Sequence, residues 1–355
     1  MSHCISRRAP GRRGLCFTRT LYSTAHLALS ALALITGCAA GPEDDPDALG
    51  EDAESFAVLP DFWDDLFSRW GLGAPNETGS DGGGVPSGGG TTSGGRAPSM
   101  AQLPRVNGPC PQFRDGYVEV GGASIALTVG NGRGPLVFYW HGTGTSSSEV
   151  DIALPGATLE VKLTGGIVAS FEDTSGLGEN TGNYVWFTGD IDAADQLVAC
   201  GIQAGLVDPA RIYSAGYSAG GLQTGAMVFS RSNYLASAVV YSGGPALGGL
   251  AFGSTTFADR SNIPSVLGAH GAAGSDWLVL DFSEGTRLVG STVAAAGGYA
   301  IDCDDGGDHA ISWFVQRAGV NGMAWQFLKD HPYGARPSSY QSLPAGFPSY
   351  CSITR

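Results

Sequence analysis

Short apolar runs alternate with longer amphipathic stretches from about Val106 onward. The apolar runs predict eight strands, at Gly116–Val120, Ala123–Val129, Leu136–Trp140, Gly166–Phe171, Ile212–Tyr217, Ala236–Tyr241, Ser265–His270 and Tyr299–Cys303. The stretches between and after them predict helices near Asp192–Ala204, Ala219–Ser230, Leu280–Ala296 and Val320–Asp330.

This order of elements predicts the fold class. Near-continuous apolar strands that are followed by helices are typical of a parallel sheet covered on both faces. We therefore predict an α/β fold with a mostly parallel central sheet of about eight strands and helices on both faces. The first two strands are expected to form an antiparallel hairpin at its start.

The first 37 residues have the pattern of an export signal. A basic stretch precedes the apolar run Leu27–Ile35, which is too short to span a bilayer as a stable helix. The small residues Thr36 and Gly37 then lead to Cys38, and this pattern resembles the lipobox of bacterial lipoproteins. We predict that residues 1–37 are a lipoprotein-type signal peptide and that lipidated Cys38 anchors an exported protein at the outer membrane or cell surface. The alternative is an ordinary secretory signal with an incidental cysteine.

Residues 38–104 have the composition of a tether. The stretch to about residue 60 is acidic and the stretch 72–100 is rich in Gly, Ser and Thr, so neither has the apolar side chains that a core needs. Between them, Asp61–Gly71 has large apolar residues at helical spacing. That segment is interpreted either as a short helix that folds back on the main domain or as a partner-binding or membrane-lying segment. The catalytic domain is predicted to be residues 105–355.

Charge and cysteine content narrow the possible functions. The chain has 19 Lys and Arg against 33 Asp and Glu, which gives a formal net charge of -14. This charge argues against nucleic-acid binding, because that function requires a basic surface. No spacing of Cys and His indicates a metal site, and we predict no cofactor. Four cysteines would remain besides those of the signal and Cys38, namely Cys110, Cys200, Cys303 and Cys351. An even number in an exported protein predicts two disulfides with three possible pairings; we favour a bridge between Cys110 and Cys351, at the two ends of the domain.

The segment Gly216-Tyr-Ser-Ala-Gly220 is the main chemical signal. It lies between a predicted strand and a predicted helix, which is the context that a G-x-S-x-G nucleophile elbow requires. The two glycines leave room for a sharp turn that exposes the hydroxyl of Ser218. We therefore predict Ser218 as a nucleophile; the alternative is a glycine-rich turn without chemistry.

A nucleophilic serine needs a base, and in this type of fold an acid and then a histidine follow it in the chain. His309 lies in the loop after the last predicted strand and is our predicted base. His331 follows the last helix, and we expect it at the surface on the opposite side of the sheet. Asp276 lies in the loop after the strand that ends at His270 and is our predicted acid. Its rival Asp281 stands where the next helix begins and is expected to be a helix cap.

The oxyanion formed during acyl transfer needs two backbone N–H donors. Ala219, directly after the nucleophile, is expected to give one, and Thr143 or Gly144, in the loop after the third strand, the other. His141 in that loop is expected to be structural. Aromatic residues near the predicted site would line a pocket or pack in the core: Tyr217, Trp186, Phe187, Trp277 and Trp313.

Together these segments resemble the secreted esterases related to polyhydroxybutyrate depolymerases and feruloyl esterases. The resemblance covers about residues 135–334. It rests on HGTG at 141–144, VDPAR at 207–211 before GYSAGG at 216–221, the loop 270–276, GGDH at 306–309 and WQFLKDHP at 325–332. It implies the α/β-hydrolase fold and a Ser-Asp-His triad that acts on carboxylic esters, often polyesters or phenolic esters of plant cell walls. The alternatives are a serine peptidase on the same fold and a non-catalytic surface binding protein. The oligomeric state stays open.

Overall fold

The computed structural model describes residues 96–172, 186, 188–278, 280–309 and 322–355. In these residues one sheet has nine strands: β1 Gly116–Val120, β2 Ala123–Val129, β3 Gly134–Trp140, β4 Ile167–Phe171, β5 Val207–Tyr217, β6 Ser237–Tyr241, β9 Ser265–His270, β10 Ala300–Asp304 and β11 Cys351–Thr354. A separate two-stranded ribbon consists of β7 Ala246–Leu247 and β8 Leu250–Ala251. The helices are α1 Val150–Ala153, α2 Ala157–Thr164, α3 Thr188–Gln203, α4 Ala219–Ser230, α5 Phe282–Ala295 and α6 Met323–Asp330. A 3₁₀ turn, Ser147–Glu149, precedes α1.

The strands of the large sheet lie in the order β1-β2-β4-β3-β5-β6-β9-β10-β11. From β4 to β10 every neighbouring pair is parallel. The hairpin β1–β2 adds antiparallel strands at one edge and β11 pairs antiparallel with β10 at the other. The predicted α/β fold with a mostly parallel sheet is thus confirmed, with one strand more than the eight we predicted.

Helices cover both faces because the central strands bury side chains on both. Along β3, Leu136 and Phe138 point into a core that includes residues of α3, α4 and α5. The alternate residues Val137 and Tyr139 belong to the other core, which includes residues of α1, α2 and α6. A strand that is apolar on both faces is therefore read correctly as an interior strand.

Parallel strands bring their carboxyl ends to one edge of the sheet. The loops after β3, β5, β9 and β10 therefore start at the same edge, and they begin at His141, Ser218, Gly271 and Asp305. These are the loops that hold the predicted site residues.

The predicted strands and helices agree with the structure to within five residues at those ends that the structure describes. The elements that the pattern did not predict are short: α1, α2, the ribbon and β11. For β11 the sequence is CSIT, which has no continuous apolar run. It is a strand because it pairs with β10, which follows from the tertiary structure and not from its own composition.

The disulfide pairing that we favoured is wrong. The bridges are Cys110–Cys200 and Cys303–Cys351, not Cys110–Cys351. The second bridge follows from strand register, because Cys303 of β10 lies directly opposite Cys351 of β11. The first joins the segment before β1 to α3. Each bridge closes a loop long enough to stabilise the fold by about 2–5 kcal/mol.

Several expectations lie outside the described residues: the signal peptide, Cys38, the tether up to residue 95 and the segment Asp61–Gly71. The chain already packs on the domain before the boundary that we predicted at residue 105, because Leu103 is buried in the core and Gln102 bonds Asp259 and Tyr333. Within the part of the chain that is described, no helix is both long and apolar enough to cross a bilayer.

Candidate active site

Ser218 stands at a strained turn between β5 and α4. Its backbone has φ 54° and ψ -117°, a region that a residue with a Cβ rarely adopts. The turn is tight because Gly216 and Gly220 lie in contact: a Cβ on Gly216 would overlap the backbone of Gly220. Ser218 is also the residue before the first turn of α4, where the helix dipole favours negative charge. This geometry is that of a nucleophile elbow.

The imidazole of His309 connects Ser218 with Asp276. Its Nε2 lies 2.9 Å from the Ser218 Oγ, and its Nδ1 lies 2.6 Å from Oδ1 of Asp276. A carboxylate only accepts hydrogen bonds, so Nδ1 carries the proton and Nε2 is free to accept the one from the serine hydroxyl. The three predicted residues come from three different loops and form one hydrogen-bonded chain.

Asp276 is held in the loop after β9. It is fully buried, and its second oxygen accepts a hydrogen bond from the Gly271 N–H at 3.3 Å. Its backbone carbonyl accepts from Phe282 N at 2.8 Å, which ties the loop to the start of α5. The side chain and the backbone of Asp276 are therefore both held in place by contacts other than its hydrogen bond to His309.

Asp281, the rival acid, is the cap of α5. Its carboxylate accepts from the Ser283 N–H at 3.0 Å and from the Gly274 N–H at 2.7 Å. Burial opposes the ionised form, but a hydrogen bond from the Ser283 hydroxyl, together with these two N–H donors, outweighs it and lowers the pKa of Asp281. The expectation of a helix cap is confirmed.

Two aromatic rings hold the imidazole of His309. Tyr217 stacks on it at 5.2 Å between ring centroids, and Phe282 lies against it at 4.3 Å. Both rings are almost fully buried. The sequence predicts Tyr217 near the site but does not predict Phe282. The signal for Phe282 in the sequence is its position directly after the helix cap that follows the acid-bearing loop.

The other histidines have different partners. His270 lies 2.9 Å from Asp302 through Nε2 and 2.6 Å from the Gly271 carbonyl through Nδ1. Burial opposes its charged form, but the bonds to Asp302 and Gly271 raise the pKa of His270.

His331 is fully buried, so the expectation of a surface position is wrong. It lies between the Phe327 carbonyl and the Ser338 hydroxyl because the chain after α6 folds back over it.

The loop after β3 lies beside the elbow. Trp140 pairs with Gly216 across β3 and β5, and a Cβ on Gly142 would be 2.8 Å from the ring of Tyr217. Thr143 and Gly144 occupy the middle of a turn that the Thr145 N–H closes on the Gly142 carbonyl at 3.2 Å. Ala219 begins α4 directly after Ser218. The loop and the helix start are thus both next to Ser218, and the oxyanion role of these three residues stays a prediction.

The aromatic residues named from the sequence separate into two groups. Trp186 is buried against Trp140 and Phe171, and its Nε1–H donates to the His141 carbonyl, so it supports the loop. Trp277, next to Asp276, is 55 % exposed. Phe187 and Trp313 lie outside the described residues. Within those residues, no cluster of His, Cys, Asp and Glu is placed to hold a metal.

Solved structures identify this architecture as the α/β-hydrolase fold. The native structure of a protein named pOPH aligns with a TM-score of 0.51 and 17 % sequence identity over 69 % of this chain and 97 % of that one. The native structure of sOPH gives 0.52 and 16 % over 71 % and 97 %. A protein described as an arylesterase aligns less well, at 0.45 and 16 % over 64 % and 86 %. No family model and no curated protein matches the chain. At these identities the likeness to pOPH and sOPH establishes the fold alone.

Proposed function

We propose that this protein, which has the α/β-hydrolase fold, is a serine esterase that cleaves carboxylic esters through an acyl-enzyme on Ser218. The observation that carries the proposal is the hydrogen-bonded chain Ser218–His309–Asp276 at the carboxyl edge of the sheet, with Ser218 in the elbow conformation. A hydroxyl activated by a histidine, which a buried carboxylate orients in turn, is the arrangement that nucleophilic acyl transfer needs.

In the first half of the reaction the Ser218 Oγ attacks the ester carbonyl carbon while His309 Nε2 takes the hydroxyl proton. Asp276 keeps the ring in the required tautomer and stabilises the imidazolium that forms. The oxyanion accepts hydrogen bonds from the Ala219 N–H and from the N–H of Thr143 or Gly144. The intermediate then collapses as His309 returns the proton to the leaving alcohol, which leaves the acyl group on Ser218.

In the second half, water replaces the alcohol. His309 takes a proton from the attacking water, and a second oxyanion forms at the same donors. The intermediate collapses as His309 gives that proton to the Ser218 Oγ, which releases the acid and restores the Ser218 hydroxyl. Esters are favoured over peptides because the family resemblance of the motifs is to esterases. The exposed apolar side chains of Trp277 and Leu278 beside Asp276 are suited to an apolar acyl or aromatic group.

The test is turnover of p-nitrophenyl esters of increasing acyl length, with methyl ferulate and a soluble polyester oligomer as further substrates. Ser218→Ala should lose turnover by several orders of magnitude, because it removes the nucleophile. Ser230→Ala, in the last turn of the same helix, is the matched control and should keep it. Turnover by Ser218→Ala at the wild-type rate would contradict the proposal. Cleavage of peptides without cleavage of esters would favour a peptidase, and binding of esters without turnover would favour a binding protein.

We also propose that the protein is exported and anchored through a lipid on Cys38. Two disulfides are typical of proteins from an oxidising compartment, outside the cell or in the periplasm. The apolar run that ends at Cys38 supplies the motif for the anchor. In a bacterial host, Cys38→Ser should shift the protein from the membrane to the soluble fraction and keep its esterase activity. Equal membrane association of wild type and variant would contradict the anchor.

A further inference from the structure

Glu149 is a buried acid that the proposed reaction does not use. It ends the 3₁₀ turn after the β3 loop, and only 4 % of it is exposed. A carboxylate in this position is costly unless polar partners satisfy its oxygens. Its partners therefore show what the residue does.

Two of the partners belong to the loop that follows β3. The Gly142 N–H donates to both carboxylate oxygens, at 3.1 and 3.3 Å, and the Thr145 hydroxyl donates to Oε2. A third donor, the Tyr139 hydroxyl, reaches Oε1 at 2.6 Å from inside the sheet. One carboxylate thus joins the last strand residues to both ends of the loop.

The position of these contacts in the loop matters. Gly142 and Thr145 are the first and fourth residues of the turn that contains Thr143 and Gly144, and the Thr145 N–H closes the turn on the Gly142 carbonyl. Glu149 therefore binds the two residues that flank the proposed oxyanion donors. Burial raises the pKa of the Glu149 carboxyl, and the hydrogen bonds from Thr145 and Tyr139 oppose this rise.

We propose that Glu149 is the positioning residue of the oxyanion loop: it fixes the turn Gly142–Thr145 so that the N–H of Thr143 or Gly144 faces the oxyanion formed at Ser218. This inference rests on the proposed esterase function. Glu149 touches no reacting atom, so its effect is on the transition state through the loop. Donors that are fixed in advance stabilise the developing charge most, because they do not reorganise during the reaction.

The experiment compares Glu149→Ala and Glu149→Gln with wild type in the hydrolysis of a p-nitrophenyl ester. In Glu149→Ala kcat should fall about 100-fold while KM changes little, since a displaced oxyanion donor acts on the transition state and not on substrate binding. A trifluoromethyl ketone forms an adduct with the Ser218 hydroxyl, and this adduct places a negative oxygen at the same donors. Affinity for the ketone should therefore fall in parallel with kcat. Glu149→Gln keeps one acceptor oxygen, so its kcat and its ketone affinity should lie between those of wild type and Glu149→Ala.

A control separates positioning from stability. Tyr241→Phe removes a buried hydroxyl that donates to the Ala153 carbonyl at 2.7 Å on the same face of the sheet, so it should lower the stability and leave kcat and ketone affinity near wild type. If Glu149→Ala does not fold, Thr145→Val replaces it, because valine has the shape of threonine without the hydroxyl that bonds Glu149. It should lower kcat and ketone affinity together by a smaller factor.

The outcomes are distinct. If Glu149→Ala, or Thr145→Val where that variant takes its place, has the kcat and the ketone affinity of wild type, this inference is overturned and the proposed function is not. An equal loss of kcat in Tyr241→Phe would also overturn it, since the effect would then follow stability. A wild type without Ser218-dependent turnover would overturn the proposed function, and this inference with it.

Discussion

The carbonyl oxygen of Trp140 occupies the space that a Cβ atom on Gly220 would need. Trp140 is the last residue of β3, and Gly220, in the first turn of α4, is the last residue of the nucleophile elbow. The contact sets how closely the helix approaches the sheet, and through the helix it sets the position of Ser218.

Gly220→Ala should therefore destabilise the protein and reduce its activity. In a helix with free space around it, replacing glycine by alanine raises the stability by about 1 kcal/mol. Here the added carbon must push α4 away from β3, and overpacking of this kind lowers the stability by about 1–3 kcal/mol. Urea denaturation and ester turnover measure the two effects. Gly108→Ala is the control, because its Cβ would meet only the Gln196 side chain at 3.7 Å. A Gly220→Ala protein as stable and active as the control would show that the contact has no such role.

Asp276→Asn should keep the fold and lower turnover by about four orders of magnitude, the size seen when the acid of another triad is changed in this way. The amide favours the wrong tautomer of His309, because its NH₂ group donates where the carboxylate accepted. Asp281→Asn removes the same charge a few residues away, yet it should cost no more than about 1 kcal/mol of stability, since asparagine is also a good helix cap. Rates of ester hydrolysis and urea midpoints of both variants decide the matter. An inactive Asp281→Asn beside an active Asp276→Asn would reverse the assignment of the acid.

The elements that position the site could be predicted because their signals are local. The interior strands β3, β4 and β6 are nearly continuous apolar runs. The elbow is recognisable in the sequence because two glycines flank a serine between a strand and a helix. The order of parallel strands then brings the loops with Asp276 and His309 to the edge that holds Ser218, so the three residues could be named from the sequence.

The features that were missed depend on contacts between distant segments. Strand β11 exists through its pairing with β10, and without β11 the partner of Cys303 could not be deduced. His331 is buried because the segment around Ser338 covers it, 7 residues later in the chain. Glu149 looks like a surface acid in the sequence, and only the fold shows that the loop and Tyr139 enclose it.

His331 should make the stability depend on pH. Its Nδ1 lies 2.8 Å from the Phe327 carbonyl, so Nδ1 carries the proton and Nε2 accepts from Ser338 in the neutral form. Burial lowers the pKa of His331 below its ordinary value, about 6.5. The unfolded chain then binds the proton more readily, so the stability from His331 is complete above about pH 6.5 and is lost as the pH falls towards the lowered pKa.

The measurement is the free energy of urea unfolding of wild type and His331→Gln between pH 7.5 and pH 5. The difference between the two proteins should shrink as the pH falls. The raised pKa of His270 acts with the opposite sign, its contribution being present below about pH 6.5 and lost as the pH rises through the folded pKa. It is common to both proteins and cancels. A difference that does not change with pH would contradict a neutral His331.

The proposed reaction requires that Ser218 forms a covalent bond to the acyl group and that His309 activates it. The most direct measurement is mass spectrometry of the protein after reaction with a p-nitrophenyl alkylphosphonate, which traps an activated serine. We expect one adduct, on the peptide that contains Ser218, with no adduct in Ser218→Ala and a greatly slowed reaction in His309→Ala. Modification of a different residue, or reaction of Ser218→Ala at the wild-type rate, would contradict it.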